Sequence, residues 1–153
     1  MRPTTDLYDD HEGEVETCAI LFRDFGGRRQ FCGPVRTVSC LNDNSVFREL
    51  LNEPGDGGVI VVDGRGSTEK ALMGDMLAAK GAANGWSGVV IHGVIRDSAE
   101  IADIDIGVKA LGTNPAKSIK QGTGEVDCPV EFGGVRFEPG FWVYCDEDGV
   151  LVS

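Results

Sequence analysis

Gly58-Val59-Ile60-Val61-Val62-Asp63, followed by Asp75-Met76-Leu77-Ala78-Ala79-Lys80-Gly81-Ala82-Ala83-Asn84-Gly85 and then Ser87-Gly88-Val89-Val90-Ile91-His92-Gly93, is the stretch that decides the fold. The two outer segments are continuous apolar runs rather than polar–apolar alternations. Such runs suit strands covered on both faces. The segment between them reads as a helix, with Asp75 as N-cap and Asn84-Gly85 as its exit. A strand–helix–strand crossover of this kind builds parallel sheet. Gly64-Arg65-Gly66-Ser67 reads as the turn leaving the first strand, and Ala71-Leu72-Met73 as a short apolar stretch ending at Gly74.

Working outward toward the N-terminus, Asn44 to Asn52 places Val46, Phe47, Leu50 and Leu51 on one helical face. Asp43 or Asn44 is available as cap, and Glu53-Pro54-Gly55 is the stop. Phe31 to Leu41 is rich in strand formers, and Gly33-Pro34 lets it enter at an angle. Cys18 to Phe22 reads as a short strand, and Thr4 to Glu16 as a helix or capped turn. Toward the C-terminus, Ser98 can cap a short helix through Ile101, and Ile106 to Leu111 is a further strand. Val126 to Val130, Val135 to Phe137, Phe141 to Cys145 and Val150 to Val152 are short strands. Gly133-Gly134, Pro139-Gly140 and Asp148-Gly149 separate them as hairpin signals. A parallel unit and antiparallel hairpins together imply an α/β protein with mixed sheets and flanking helices, in one domain over residues 1–153.

Composition narrows the function. With 14 Lys+Arg against 25 Asp+Glu the formal net charge is -11, so most of the surface repels phosphate backbones and direct nucleic-acid binding is not expected. The 22 glycines have no G-X-Y period and sit between apolar runs, as turn residues do. At 41% apolar residues the chain is not disordered. No apolar run approaches the roughly 20 residues that span a bilayer, and the acidic N-terminus lacks the apolar core of a secretory signal. Five cysteines, Cys18, Cys32, Cys40, Cys128 and Cys145, form no CxxC pair, which points to free thiols in a reducing compartment. A cytoplasmic enzyme or protein-binding module is the expectation.

Two places carry candidate chemistry. Asp63-Gly64-Arg65-Gly66 follows a strand, as the opening of a nucleotide or S-adenosylmethionine loop would. However, no GxGxxG can be made from it, and Ser67-Thr68-Glu69-Lys70 follows where a helix should begin. A plain strand exit is the simpler reading, and methyl transfer in quinone synthesis would rest on this segment alone. The second place is Gly74, Asp75, Arg96 and Asp97. A helix opening at Gly74-Asp75 leaves the N–H groups of Met76 and Leu77 free for a carboxylate. Arg96 falls at the C-terminal end of the next strand, where open α/β sheets place ligands, and its planar fork grips carboxylates. Asp97 offers oxygen to a hard divalent ion. On spacing alone, a plain Asp75 cap with a solvated Arg96–Asp97 loop pair accounts for the same residues.

Gly74-Asp75, twenty residues (Met76 to Ile95) and Arg96-Asp97 resemble the D-x20-R-D motif of the RraA-like proteins. That family includes 4-hydroxy-4-methyl-2-oxoglutarate aldolases and the regulator of ribonuclease activity A. The likeness extends through Phe31-Cys32-Gly33-Pro34, Val61-Val62-Asp63-Gly64, Asp105-Ile106-Gly107, Ala110-Leu111-Gly112-Thr113-Asn114-Pro115 and Phe132-Gly133-Gly134-Val135. The resemblance implies a layered β/β/α domain of the swivelling type and a ring-shaped homotrimer with sites near subunit boundaries. It implies catalytic roles for Asp75 and Arg96, and substrate binding by Gly74, Asp75, Met76, Leu77 and Arg96. Asp97 would hold a Mg²⁺ or Mn²⁺ ion. The implied reaction is cleavage of 4-hydroxy-4-methyl-2-oxoglutarate to pyruvate, with oxaloacetate decarboxylation beside it. Some relatives that regulate ribonuclease lack an acid at the position of Asp97, whereas this chain keeps it. Longer aldolases add a C-terminal acidic residue to a neighbour's site, which this chain, ending at Ser153, is expected not to supply. The alternative the family offers is a non-catalytic regulator that binds a ribonuclease or helicase.

Other residues read as structural. His92 is expected to be a satisfied core histidine, Trp86 and Trp142 packing or trimer-contact residues, and Lys80 a surface residue. Asp146-Glu147-Asp148 is expected to be a charged hairpin tip, and His11 receives no role.

Overall fold

Residues 59–63 and 88–95 lie side by side as parallel strands, with Val61 opposite Val90. The computed structural model describes residues 1–153. The elements are α1 (Thr4–Asp10), β1 (Glu16–Thr17), β2 (Arg23–Asp24), β3 (Phe31–Ser39), α2 (Ser45–Leu51), β4 (Val59–Asp63), α3 (Asp75–Ala83) and β5 (Gly88–Ile95). They continue with α4 (Ser98–Ile101), β6 (Gly107–Thr113), β7 (Glu125–Val126), β8 (Val130–Phe132), β9 (Val135–Phe137), β10 (Trp142–Asp146) and β11 (Gly149–Val152). The main sheet runs β1-β11-β10-β3-β4-β5-β6-β2, with β7 also on β3, and β8–β9 form a separate hairpin.

β3 joins the two halves of the sheet. Its residues 31–34 pair antiparallel with β10, and its residues 35–39 pair parallel with β4. The change of partner falls at Gly33-Pro34, the angled entry expected from the sequence. The apolar runs of β4 and β5 then divide between two cores. Ile60, Val62, Val89 and Ile91 pack with Phe47, Leu50 and Leu51 of α2, Ala78 of α3 and Ile101 of α4. Val59, Val61 and Val90 pack instead with Val130, Phe132, Val135 and Phe137 of the β8–β9 hairpin and with Val143 and Val150. The layers are therefore β/β/α, and burying each such side chain stabilises the fold by about 1.5–3 kcal/mol. Phe31 lies across Gly88 and Gly107 so closely that a Cβ at either would fall 2.3 or 2.1 Å from its ring. No helix is long and apolar enough to cross a membrane.

Several expectations change. Cys18 to Phe22 is not a strand. The chain there passes between sheets, donating from Cys18 to Val150 O and from Ala19 to Gly133 O, so neither ladder continues. Pro139-Gly140 does not close a hairpin, because β9 pairs with β8 while β10 pairs with β3 and β11. Asp146 is not a solvated tip residue. It is buried, and its carboxylate accepts from Thr4 N–H and Thr4 Oγ1 at 2.7 Å each, tying α1 to β10. Asp75 is the first residue of α3 rather than its N-cap, a position held by Gly74.

Candidate functional site

The site is assembled where β5 ends. Residues 71–74 run beside that end: Ala71 bridges Val94 and Lys117, and Leu72 N–H donates to Val94 O at 2.9 Å. Arg96 N–H donates to Met73 O at 2.9 Å, which sets the arginine against the start of α3. Asp97 adopts a left-handed conformation, φ 57°, and stands at the N-cap position of α4 without a side-chain capping bond. Its Oδ2 also accepts the N–H of Asp75 at 3.1 Å. Gly74 has no side chain to cap α3, so the carboxylate arrives from the neighbouring loop and satisfies one otherwise free amide. The fit requires glycine, since a Cβ at residue 74 would stand 2.6 Å from Asp97 Oδ2 and 3.4 Å from Arg96 Nε.

Gly74, Asp75, Met76, Leu77, Arg96 and Asp97 line one cleft of about 210 Å³. The six residues singled out by sequence thus share one concavity. At about 30 Å³ per water in the liquid, the cleft suits a small acid. It falls below the range of about 300–1,000 Å³ common for larger ligands. The Arg96 side chain has a single internal hydrogen bond, Nη1 to Pro115 O at 3.4 Å, and no ion pair, so its fork is free for a carboxylate.

The same cleft is also lined by Asn44, Arg48, Lys80, Lys117, Ser118 and Lys120, none of which the sequence pattern identified. Lys80, read as a plain surface residue, is exposed but belongs to this lining. Asn44 Nδ2 donates to Leu72 O at 3.0 Å, whereas its buried Oδ1 has no hydrogen-bond partner. The segment carrying Lys117 and Lys120 is pinned from below. Ser118 Oγ donates to Ala71 O at 2.7 Å, and Ile119 N–H donates to Asn42 O at 2.9 Å. Buried Asp43 accepts from Gln121 N–H and from Thr123 N–H and Oγ1 through one oxygen, and from Ser45 through the other. Burial alone would raise the Asp43 carboxyl, but the hydrogen bonds from Ser45 and Thr123 prevail and hold it far below the usual carboxylate range.

Nowhere do three or more His, Cys, Asp or Glu side chains converge as a metal cage. The donors in the cleft instead fit a hard ion held by one or two carboxylates and completed by water and substrate. Asp97 Oδ2 is engaged with Asp75 N–H, whereas its Oδ1 and the Asp75 carboxylate accept no hydrogen bond within the chain.

The remaining candidates lie elsewhere. Asp63 Oδ1 accepts Arg65 N–H at 2.9 Å and lies 3.4 Å from His92 Nδ1, while the His92 ring stacks on Phe132. The Gly64–Gly66 turn is therefore a closed local structure, and α3 begins only at Asp75, so no glycine loop opens directly onto a helix end. Trp86 is buried and donates from Nε1 to Glu53 O. Trp142 is half-exposed and stacks with Tyr144. All five cysteines are free thiols.

The β/β/α domain thus gathers an arginine, a helix start and a carboxylate at the end of a parallel strand, where open α/β sheets place their ligands. The profile of the RraA-like family, described as Aldolase/RraA, matches residues 4–152, and the chain belongs to that family. A protein of Alkalilimnicola ehrlichii, provisionally named 4-hydroxy-4-methyl-2-oxoglutarate aldolase, is 56% identical over 151 residues, covering 99% of this chain and 94% of its own. Among solved structures, one from Geobacillus kaustophilus is named S-adenosylmethionine:2-dimethylmenaquinone methyltransferase. It superposes with a TM-score of 0.98 at 50% identity, covering 99% of this chain and 94% of its own. The RNA-processing inhibitor RraA from Thermus thermophilis superposes at 0.96 with 45% identity, covering 99% and 92%.

Proposed function

We propose that the chain is a divalent-metal-dependent lyase that cleaves 4-hydroxy-4-methyl-2-oxoglutarate to pyruvate and also decarboxylates oxaloacetate. The observation that carries this reading is the meeting of Arg96, the α3 start and Asp97 over Gly74 in one cleft. The name of the Alkalilimnicola relative supports it. In this reading Arg96 grips the substrate's 1-carboxylate, helped by the free N–H groups of Met76 and Leu77. Gly74 lets that carboxylate lie against the backbone. Asp97, through its free oxygen, would hold a Mg²⁺ or Mn²⁺ ion, with Asp75 beside it. When bound, the ion supplies Lewis acidity at the 2-oxo oxygen and so lowers the energy of the enolate left by C–C cleavage. Asp75 orients a water that takes the 4-hydroxyl proton as the C3–C4 bond breaks and returns a proton to C3. A ring-shaped homotrimer belongs to the same reading, and light scattering at three times the 16.3 kDa chain mass would show it.

The test is pyruvate release, coupled to a dehydrogenase, from either substrate with Mg²⁺ or Mn²⁺. Release that chelator abolishes and added metal restores supports the proposal; none above the metal-only background ends it.

A second reading, a regulator that binds a ribonuclease or helicase, is supported by the name of the Thermus relative and by the charge of -11, which suits basic protein surfaces. A pull-down from native lysate with neither partner would count against it. The methyltransferase name of the Geobacillus protein has no counterpart in the closed Gly64–Gly66 turn. Titration with S-adenosylmethionine should give no heat, and a micromolar signal would revive that reading.

A further inference from the structure

Of the 14 cations of this chain, five are paired with carboxylates and five gather around one cleft, while Arg23, Arg29, Arg65 and Lys70 do neither. Arg2, Arg28, Arg36, Lys109 and Arg136 each sit within 4.0 Å of a carboxylate. Arg48, Lys80, Arg96, Lys117 and Lys120 line the cleft, and none of them forms an ion pair, although acids outnumber bases 25 to 14 in the chain. Only two carboxylates, Asp75 and Asp97, share that lining. In so acidic a protein, five unpaired cations around a volume of about 210 Å³ invert the local field and favour a multiply charged anion. The Arg96 N–H is bonded to Met73 O, just ahead of α3, which fixes that cation beside the helix start. The other four stand on α2, on α3 and on the 116–123 segment.

We propose that Arg48, Lys117 and Lys120 form a second anion subsite, which receives the distal carboxylate of a 2-oxo dicarboxylic acid and sets specificity against monocarboxylic 2-oxo acids. This rests on the reading of the Arg96 end as the 2-oxo-acid site. Lys117 and Lys120 are suited to the role because their segment is anchored at Ala71, Asn42 and Asp43, so the ammonium groups extend from fixed backbone. Asp43 is accordingly a positioning residue. Lys80, in the last turn of α3, adds to the field over the same cleft.

The test compares 2-oxoglutarate with 2-oxopentanoate, which has the same chain length and lacks only the distal carboxylate. Binding is read by calorimetry with Mg²⁺ present, on the full chain. Wild type should bind 2-oxoglutarate about tenfold more tightly, as several partly exposed charge contacts allow. In the Arg48→Gln/Lys117→Gln/Lys120→Gln variant the preference should fall to about twofold while 2-oxopentanoate binds as before, which also shows an intact Arg96 end. Lys117→Glu/Lys120→Glu should reverse the preference. Equal binding of both acids by wild type, or a preference that survives the triple variant, would overturn the subsite. A charge preference that follows these variants, in a protein releasing no pyruvate, would uphold the subsite and reject the lyase instead.

Discussion

The cleft at the end of β5 and the rest of the surface use the same side chains in opposite ways. Outside the cleft, five of nine cations are spent on local neutralisation: Arg36, for example, forks Asp127 at 2.7 and 2.8 Å, Arg28 forks Asp105 at 3.1 and 3.2 Å, and Lys109 lies buried against Asp24 at 2.9 Å. Inside it, five cations form no ion pair, and Arg96 makes only the one bond to Pro115 O. Carboxylates differ in the same way. Asp43 and Asp146 are saturated with internal donors and act as fasteners, whereas Asp97 gives one oxygen to α3 and keeps the other free. Unused bonding capacity gathered around one concavity, rather than charge alone, is what separates the candidate site from the scaffold.

The largest break in this contrast should come from Arg96→Ala. Removing the partner of a substrate carboxylate in a half-buried position should lower kcat/KM about 100- to 1,000-fold, from the roughly 3–4 kcal/mol such contacts carry. Arg96→Lys should recover only part of the activity, because the charge returns without the fork. Steady-state kinetics on 4-hydroxy-4-methyl-2-oxoglutarate decides both.

Gly74→Ala comes next. Its Cβ would need the space of Asp97 Oδ2, 2.6 Å away, so Asp97 must leave the Asp75 amide. A displacement of about 1 Å at a catalytic group can cost about 100-fold in rate, while loss of the cap should cost about 1 kcal/mol of stability. A variant with full activity and unchanged melting would show that the close approach has no role.

Asp43→Asn turns from chemistry to scaffold. The Asp43 carboxyl is held far below its unfolded value of about 3.9. Its stabilising contribution is therefore full above about pH 4 and is lost as pH falls toward the folded value. The variant should be about 2 kcal/mol less stable at pH 7. Its unfolding free energy should also fall less steeply than wild type below about pH 4. Parallel acid limbs in denaturant titrations would contradict the role given to the internal hydrogen bonds.

Smallest of all should be Arg136→Ala. This exposed arginine pairs with Glu138 at 3.0 Å and with Glu131 at 3.8 Å, and a surface pair of this kind contributes at most about 1 kcal/mol. Activity should not change.

What could be read from sequence divides along the same line. The parallel unit was legible because continuous apolar runs have one physical solution, a strand covered on both faces. Gly74, Asp75, Arg96 and Asp97 were legible because they flank one helix and one strand at a recognisable spacing. Arg48, Lys117 and Lys120 were not, since they reach the cleft from segments 26 residues before Gly74 and 20 or more after Asp97 and carry no local pattern. Lys80 was rightly read as exposed, but helix periodicity gives a face without saying which cleft borders it. The Cys18–Phe22 strand failed for a related reason: its residues are strand formers, but tertiary partners on two different sheets claim its amides. The saturation of Asp43 and Asp146 depends on donors 78 and 142 residues away, which no local reading contains.

The most direct test of the central claim is pyruvate release from 4-hydroxy-4-methyl-2-oxoglutarate by wild type and Asp97→Ala, each with Mg²⁺ and with excess chelator. The account predicts turnover only in wild type with metal, and background rates in the other three reactions. Asp97→Ala turning over at the wild-type rate, or wild type indifferent to chelator, would contradict it.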